Sequence, residues 1–283
     1  MKHKQIISFD FKLQLTVCRI PLYQNALQYV NVFKYNQHTC LPLYNDMLLF
    51  PGIGRVLTKM LIDIGAEVYG VGRNSEELAS LASECGAKFH PIRTDLADWS
   101  ATRVELEKLP AMYGLVNNAG IAHPWISSLE ASKDSIDQTF AINTMAAVNV
   151  TQVLAKKMVA AGKGGSIVNV SSINGLNPMR ESLAYNMSKA ALDMMTKQFA
   201  LELGPSSIRV NSVNPTVALT AMGREFWSEP VKAGKLKGHT PLGRFAEIEE
   251  VVKPIIYLLS DWSTMVTGTK NPIEGGLLSN IHV

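Results

Sequence analysis

Tyr185 and Lys189 stand four residues apart, so on a helix they share one face and the ammonium can sit close to the phenol. A free phenol has a pKa of about 10. A neighbouring positive charge stabilises the phenolate and lowers that value, which would make the phenol a usable general acid near neutral pH. Ser172 follows the β-branched run Ile167-Val168-Asn169-Val170. At a strand end its hydroxyl can hydrogen-bond a carbonyl oxygen, drawing charge onto it and helping a hydride reach the carbon. With Asn143 these residues make a set of four. Tyr-x-x-x-Lys alone recurs by chance in many helices; the order of the set and its strand-end positions carry the argument.

A second group suits a phosphate ligand. Gly52-Ile53-Gly54 precedes Arg55 and the apolar positions Val56, Leu57, Met60, Leu61 and Ile64. Glycines at a strand-to-helix turn let the backbone approach a pyrophosphate at a helix N-terminus, although a Gly-x-Gly alone is also an ordinary loop. Arg73 ends the next strand and no acid follows until Glu76. An acid there would hold ribose hydroxyls, whereas an Arg suits a 2′-phosphate, so NADP is expected rather than NAD. Asp95, before Leu96, could accept a hydrogen bond from an adenine amino group; an isolated Asp is more often a helix cap.

The elements that must position these groups follow from the pattern. Short β-branched runs at 66–71, 88–94, 114–117, 166–170 and 208–213 alternate with amphipathic stretches, including helices from Trp99, from Ser132 to Ala161 and from Leu183 to Leu203. Right-handed crossovers at this spacing give a doubly wound parallel α/β sheet in a single domain, expected over 47–283. Its ligand lies beyond the carboxyl ends of the strands. Residues 1–46 read as an atypical, poorly ordered extension. They are acid-poor, but a single Arg argues against a mitochondrial presequence and leaves the cytoplasm as the expected location.

The 283 residues are 47% hydrophobic and 18% charged, enough apolar material for a core. A net charge of +3 is too small for nucleic acid or an anionic membrane to be the main partner, and favours a metabolite-sized one. Cys18, Cys40 and Cys85 form no metal-ligand spacing. No apolar run approaches the ~20 residues of a membrane span, so a soluble protein is expected.

From Gly52 to Gly276 the chain resembles the classical short-chain dehydrogenases/reductases. The matching residues are Gly52-Ile53-Gly54, Asp95, Asn117-Asn118-Ala119-Gly120, Asn143, Ser172, Tyr185 to Lys189 and Asn214-Pro215. Pro241 to Glu247, Trp227-Ser228 and Glu274-Gly275-Gly276 bring it close to the branch that reduces small dicarbonyls and ketoses such as L-xylulose. The resemblance implies an NADPH-dependent carbonyl reductase in which Tyr185 protonates the carbonyl oxygen and Ser172 orients it. It also implies that Lys189 lowers the phenol pKa and holds the nicotinamide ribose, and that Asn143 holds a water linking Lys189 to solvent. Arg73, Asp95 and Leu96 would meet the adenosine end of NADP(H), with Asn117, Ala119 and Gly120 beside its ribose. Pro215, Thr216, Val217 and Thr220 would lie near the carboxamide, Trp227 would form a substrate lid, and the chain would assemble as a homodimer or homotetramer.

The opening of the chain departs from the family pattern Thr-Gly-x-x-x-Gly-Ile-Gly. Met47 and Leu48 stand for its Thr and first Gly, Phe50 crowds the pyrophosphate position, and Pro51 lacks an N–H. Leu41 to Met47, with Pro42, Asn45 and Asp46, is a poor central strand, so Met47 to Phe50 is expected to stand in. These departures support an alternative: a non-catalytic or weakly active homologue that keeps the fold but binds cofactor poorly. Ile173, Asn174 and the charged Arg180-Glu181 also differ on the substrate side.

Overall fold

The computed structural model describes residues 43–45, 52–123 and 125–280, excluding the side chains of 43–45, 221 and 222. Seven strands form one parallel sheet: β1 (Leu43–Asn45), β2 (Val68–Gly72), β3 (Phe89–Arg93), β4 (Gly114–Asn117), β5 (Gly165–Val170), β6 (Ile208–Pro215) and β7 (Lys270–Ile273). Their order is β3-β2-β1-β4-β5-β6-β7. The chain winds outward from β1 to β3 and then returns to the other side, which puts the reversal between β1 and β4.

The helices are α1 (Ile53–Asp63), α2 (Ser75–Cys85), α3 (Trp99–Glu107), α4 (Lys133–Phe140), α5 (Ala146–Ala161), α6 (Leu183–Leu203), α7 (Ala221–Phe226), α8 (Pro230–His239) and α9 (Ile248–Leu259). They cover both faces of the sheet. Leu115 and Ile167 join Val150, Leu154 and Met158 in one core cluster. Val116 and Val168, one residue on, join Leu57, Leu61, Val252 and Ile255 in the other. The period of two sends neighbours on one strand to opposite faces, which is why β4 and β5 carry apolar residues at successive positions, Leu115-Val116 and Ile167-Val168.

Two expectations need correction. The central strand β1 lies at Leu43–Asn45, within the segment expected to be a poor strand, and pairs Leu43 with both Tyr69 and Leu115. Pro42 precedes it in sequence, so no ladder donor inside the strand is missing. Residues 47–50, expected to supply this strand, lie outside the described residues, as do 1–42. The single helix expected over Ser132 to Ala161 is in fact interrupted. Its N-cap is Ser132, whose Oγ accepts from the Ser135 N–H at 3.1 Å, but Ala141–Met145 form a π-helical turn between α4 and α5. Asn143 sits at the centre of that turn.

Candidate active site

A cleft opens beyond the carboxyl ends of β1, β4, β5 and β6. Its wall takes Gly52 and Ile53 from the start of α1, Asn118 and Gly120 from the loop after β4, and Ser172 from the end of β5. Tyr185 and Lys189 enter from α6, and Thr216 and Trp227 from beyond β6. Pro215, Val217 and Thr220 line it as well.

Ser172 is held where strand gives way to a 3-10 turn, Ile173–Gly175. Its Oγ accepts from the Asn174 N–H at 3.1 Å and its carbonyl from Asn214 Nδ2 at 3.0 Å. The turn packs directly on α6: a Cβ on Gly175 would meet Asp193 Oδ2 at 2.6 Å and the Lys189 carbonyl oxygen at 2.9 Å. Lys189 Nζ donates to the Val170 carbonyl at 2.9 Å and lies 5.6 Å from the centroid of the Tyr185 ring. Strand end and helix are thereby locked with Ser172, Tyr185 and Lys189 in one wall.

The electrostatics reverse one expectation. Burial pushes the Tyr185 phenol above its ordinary value, and a hydrogen bond with Ser172 opposes this without overcoming it. Lys189 was expected to dominate and lower the phenol. Burial also weakens the lysine charge, bringing its pKa down to about 8, with the carboxylate of Asp193 pulling the other way. In the folded protein both groups thus favour their neutral forms relative to water.

Asn143 reaches this cluster through the loop after β4. Its Nδ2 donates to the Ile121 carbonyl at 2.9 Å and to Ser188 Oγ at 3.0 Å, while Oδ1 accepts from the Ile121 N–H at 2.7 Å. Both amide hydrogens are spent, leaving a lone pair on Oδ1 for the expected water. The loop runs close above Lys189, since a Cβ on Gly120 would lie 3.4 Å from Nζ.

The expected cofactor residues divide into three groups. Gly52, Ile53, Gly120, Tyr185, Lys189, Pro215, Thr216, Val217 and Thr220 meet in the cleft. Gly54 is buried within α1, whose N-terminus has neither a side-chain cap nor an acid in its first turn. Its first N–H groups and positive dipole end are therefore available to an anion. Thr216 Oγ1 is buried with no partner among the described residues. Arg73 is exposed and makes no ion pair or hydrogen bond among the described residues. An uncapped helix start and a hydroxyl without a partner among the described residues fit a nicotinamide dinucleotide.

The remaining members contribute less than expected. Leu96 is buried in the core, so it offers a ligand only its backbone. Ala119 packs partly buried against the same cluster. The Asn117 amide donates to Thr151 Oγ1 at 3.0 Å and across the sheet to Asn169 Oδ1 at 2.8 Å, which ties strand ends together. Asp95 is exposed, and its Oδ1 accepts from the Ala97 N–H at 3.0 Å; the cap of α3 is Asp98. The departures at Met47, Leu48, Phe50 and Pro51 lie outside the described residues.

On the substrate side, Trp227 stands edge-on to Trp125 at 5.2 Å between centroids and to Phe245 at 5.9 Å. Ile173, Asn174, Met179 and Ser182 complete the wall. Arg180 and Glu181 are exposed and are not among the residues that line the cleft, so the charge pair that sets this segment apart adds no charge to its wall.

Residues 50–278 match a family model described as enoyl-(acyl carrier protein) reductase. A short-chain type dehydrogenase/reductase of Mycobacterium ulcerans superposes with a TM-score of 0.80 at 28% identity, covering 86% of this chain and 92% of that one. The chain belongs to the short-chain dehydrogenase/reductase family. L-xylulose reductase of Mus musculus is 46% identical over 230 residues, 81% of this chain and 93% of that protein. Carbonyl reductase (NADPH) 2 of Sus scrofa is 43% identical over 231 residues, 81% and 93% of the two chains.

For a short-chain dehydrogenase/reductase, several supporting residues escaped sequence reasoning. Asp193, four residues beyond Lys189, is buried and accepts from Asn214 Nδ2 at 2.9 Å and from Ser212 Oγ at 3.2 Å. Its spacing repeats that of Tyr185 and Lys189 on one helix face. Trp125 and His123 also line the cleft. They sit on an irregular loop, where no period marks them.

Proposed function

We propose that this enzyme is an NADPH-dependent carbonyl reductase acting on small dicarbonyls and ketoses such as L-xylulose. One observation carries the reading: Ser172, Tyr185 and Lys189 share a cleft in which, among the described residues, the wall holds no Asp or Glu and no Lys or Arg besides Lys189. Such a wall suits an uncharged polar substrate, and the L-xylulose reductase at 46% identity supports the same class. The preference for NADPH rests on Arg73, exposed at the end of β2 with no side-chain partner among the described residues, and agrees with the name of the Sus scrofa relative.

The chain's own groups divide the work. When bound, NADPH supplies the hydride; Gly52, Ile53, Thr216 and Lys189 would hold it. The substrate oxygen accepts hydrogen bonds from the hydroxyls of Ser172 and Tyr185, which strengthen as negative charge grows on it. Tyr185 then gives its proton to that oxygen, so the C=O becomes CH–OH and a phenolate remains. The raised phenol pKa keeps the acid protonated for this step. The Lys189 charge beside the ring offsets the phenolate, and a proton returns from solvent near Asn143.

The test follows NADPH consumption by the full chain with L-xylulose and with diacetyl. Turnover of at least one is expected, falling about 10²–10⁴-fold in Tyr185→Phe as for loss of a positioned acid. No turnover of either, or undiminished turnover in the variant, overturns the reading.

A further inference from the structure

We propose that His123 is a substrate-positioning residue whose Nε2 hydrogen-bonds a hydroxyl of a polyhydroxylated ketose, favouring such substrates over unsubstituted dicarbonyls. This rests on the carbonyl-reductase reading above. His123 lies on the loop after β4, three residues past Gly120, and lines the cleft with Ser172, Tyr185, Trp125 and Trp227. Its Nε2 is shut off from solvent and has no hydrogen-bond partner among the described residues. A buried polar atom without a partner bears its full desolvation cost, so such an atom in a binding cleft requires an explanation.

The other polar side chains on the substrate side each already hold a hydrogen bond within the protein or serve the reacting oxygen. Ser172 and Tyr185 serve the reacting oxygen. Asn174 Nδ2 donates to Asn186 Oδ1 at 2.9 Å, and the Ser182 hydroxyl donates to the Arg180 carbonyl at 3.2 Å. Ile173, Met179, Trp125, Phe226 and Trp227 are predominantly apolar wall. His123 is left to satisfy a polar group of the substrate beyond the reacting carbonyl. With the ring proton on Nδ1, Nε2 is an acceptor that a substrate hydroxyl can satisfy by donating. A dicarbonyl offers only acceptors. A site built around a substrate hydroxyl discriminates against the analogue that lacks it, because the protein's own polar atom then stays unpaired.

The experiment measures kcat and KM for L-xylulose and for diacetyl in the wild type, His123→Leu and His123→Gln, with NADPH affinity read by cofactor fluorescence. In His123→Leu the KM for L-xylulose should rise about tenfold or more, the scale expected for one lost substrate hydrogen bond, with kcat changed less than about threefold. Diacetyl constants and NADPH affinity should stay within about twofold, and Gln should recover most of the loss because it keeps a donor and an acceptor. If the ratio of kcat/KM for the two substrates is unmoved in His123→Leu, whether both fall together or neither changes, the inference is overturned. A wild type that reduces diacetyl but no hydroxylated ketose overturns it while leaving the carbonyl-reductase reading intact. A wild type that reduces neither overturns both.

Discussion

Lys189 enters the cleft with its charge already weakened, and that sets a pH limit on the enzyme. Burial lowers its pKa from 10.5 to about 8. kcat/KM reports groups of the free enzyme, so kcat/KM for reduction should fall as pH rises through about 8, where the ammonium that offsets the phenolate is lost. A flat profile to pH 9.5 would contradict this. Stability runs the other way. Between about pH 8 and 10.5 the unfolded chain holds this proton while the folded one has released it, so the lysine's contribution to stability rises with pH across that window. Below pH 8 both states are protonated and the full cost of burying the charge remains. Lys189→Met should remove this gain, visible as a smaller rise in denaturation midpoint across the window than in the wild type. At the far end of the cleft, Arg73→Ala should reduce the preference for NADPH over NADH by about 1.5–3 kcal/mol, the range for a charge-assisted hydrogen bond. Equal dissociation constants for the two cofactors in the wild type would remove Arg73 from cofactor choice.

Among the elements, the turn at Ile173–Gly175 decides how strand β5 meets helix α6. Because a Cβ on Gly175 would press on Asp193 and on the Lys189 backbone, Gly175→Ala must push the turn off the helix. A cost of about 1–3 kcal/mol is expected from such overpacking. Ser172 moves with the turn, so kcat should fall more than NADPH affinity. A variant with wild-type stability and kcat would show that the contact is soft. The same element level explains what was legible in the sequence. β2, β4, β5 and β6 are largely buried and announce themselves as short runs rich in β-branched residues, and the 21-residue α6 carries both catalytic spacing and helical period. β7, Lys-Asn-Pro-Ile at the sheet edge, is half-exposed and contains Pro272, so nothing marked it as a strand. The π turn at Asn143 was invisible because one extra residue in a helical turn leaves the composition unchanged. His123 was missed because its significance lies in an unpaired atom, which only packing reveals.

At the level of the whole molecule, α6 presents two different faces. Lys189, Leu192, Thr196 and Ala200 are buried against the sheet. Met187, Met194 and Leu201, spaced by seven and so aligned along the helix, are 44%, 64% and 75% exposed. Met145, on the π turn beside α6, is 46% exposed. Isolated exposed apolar side chains need no explanation, but an aligned stripe on the helix that carries the acid and the lysine suggests a covered surface. An isologous two-fold contact would bury each of these residues twice, and a fully buried Met or Leu contributes about 1.5–3 kcal/mol. The protein should therefore have the mass of a dimer or tetramer by light scattering at micromolar concentration. Met194→Glu combined with Leu201→Glu would place four charges in the two-fold interface and should shift the mass toward monomer. The cleft lies on the other side of the helix, so Tyr185, Lys189 and the rest of its wall should persist in the separated chains, with any loss of turnover smaller than in Tyr185→Phe. A wild type that is monomeric under these conditions would show that the stripe is bare in solution and that α6 is held in register by the sheet alone.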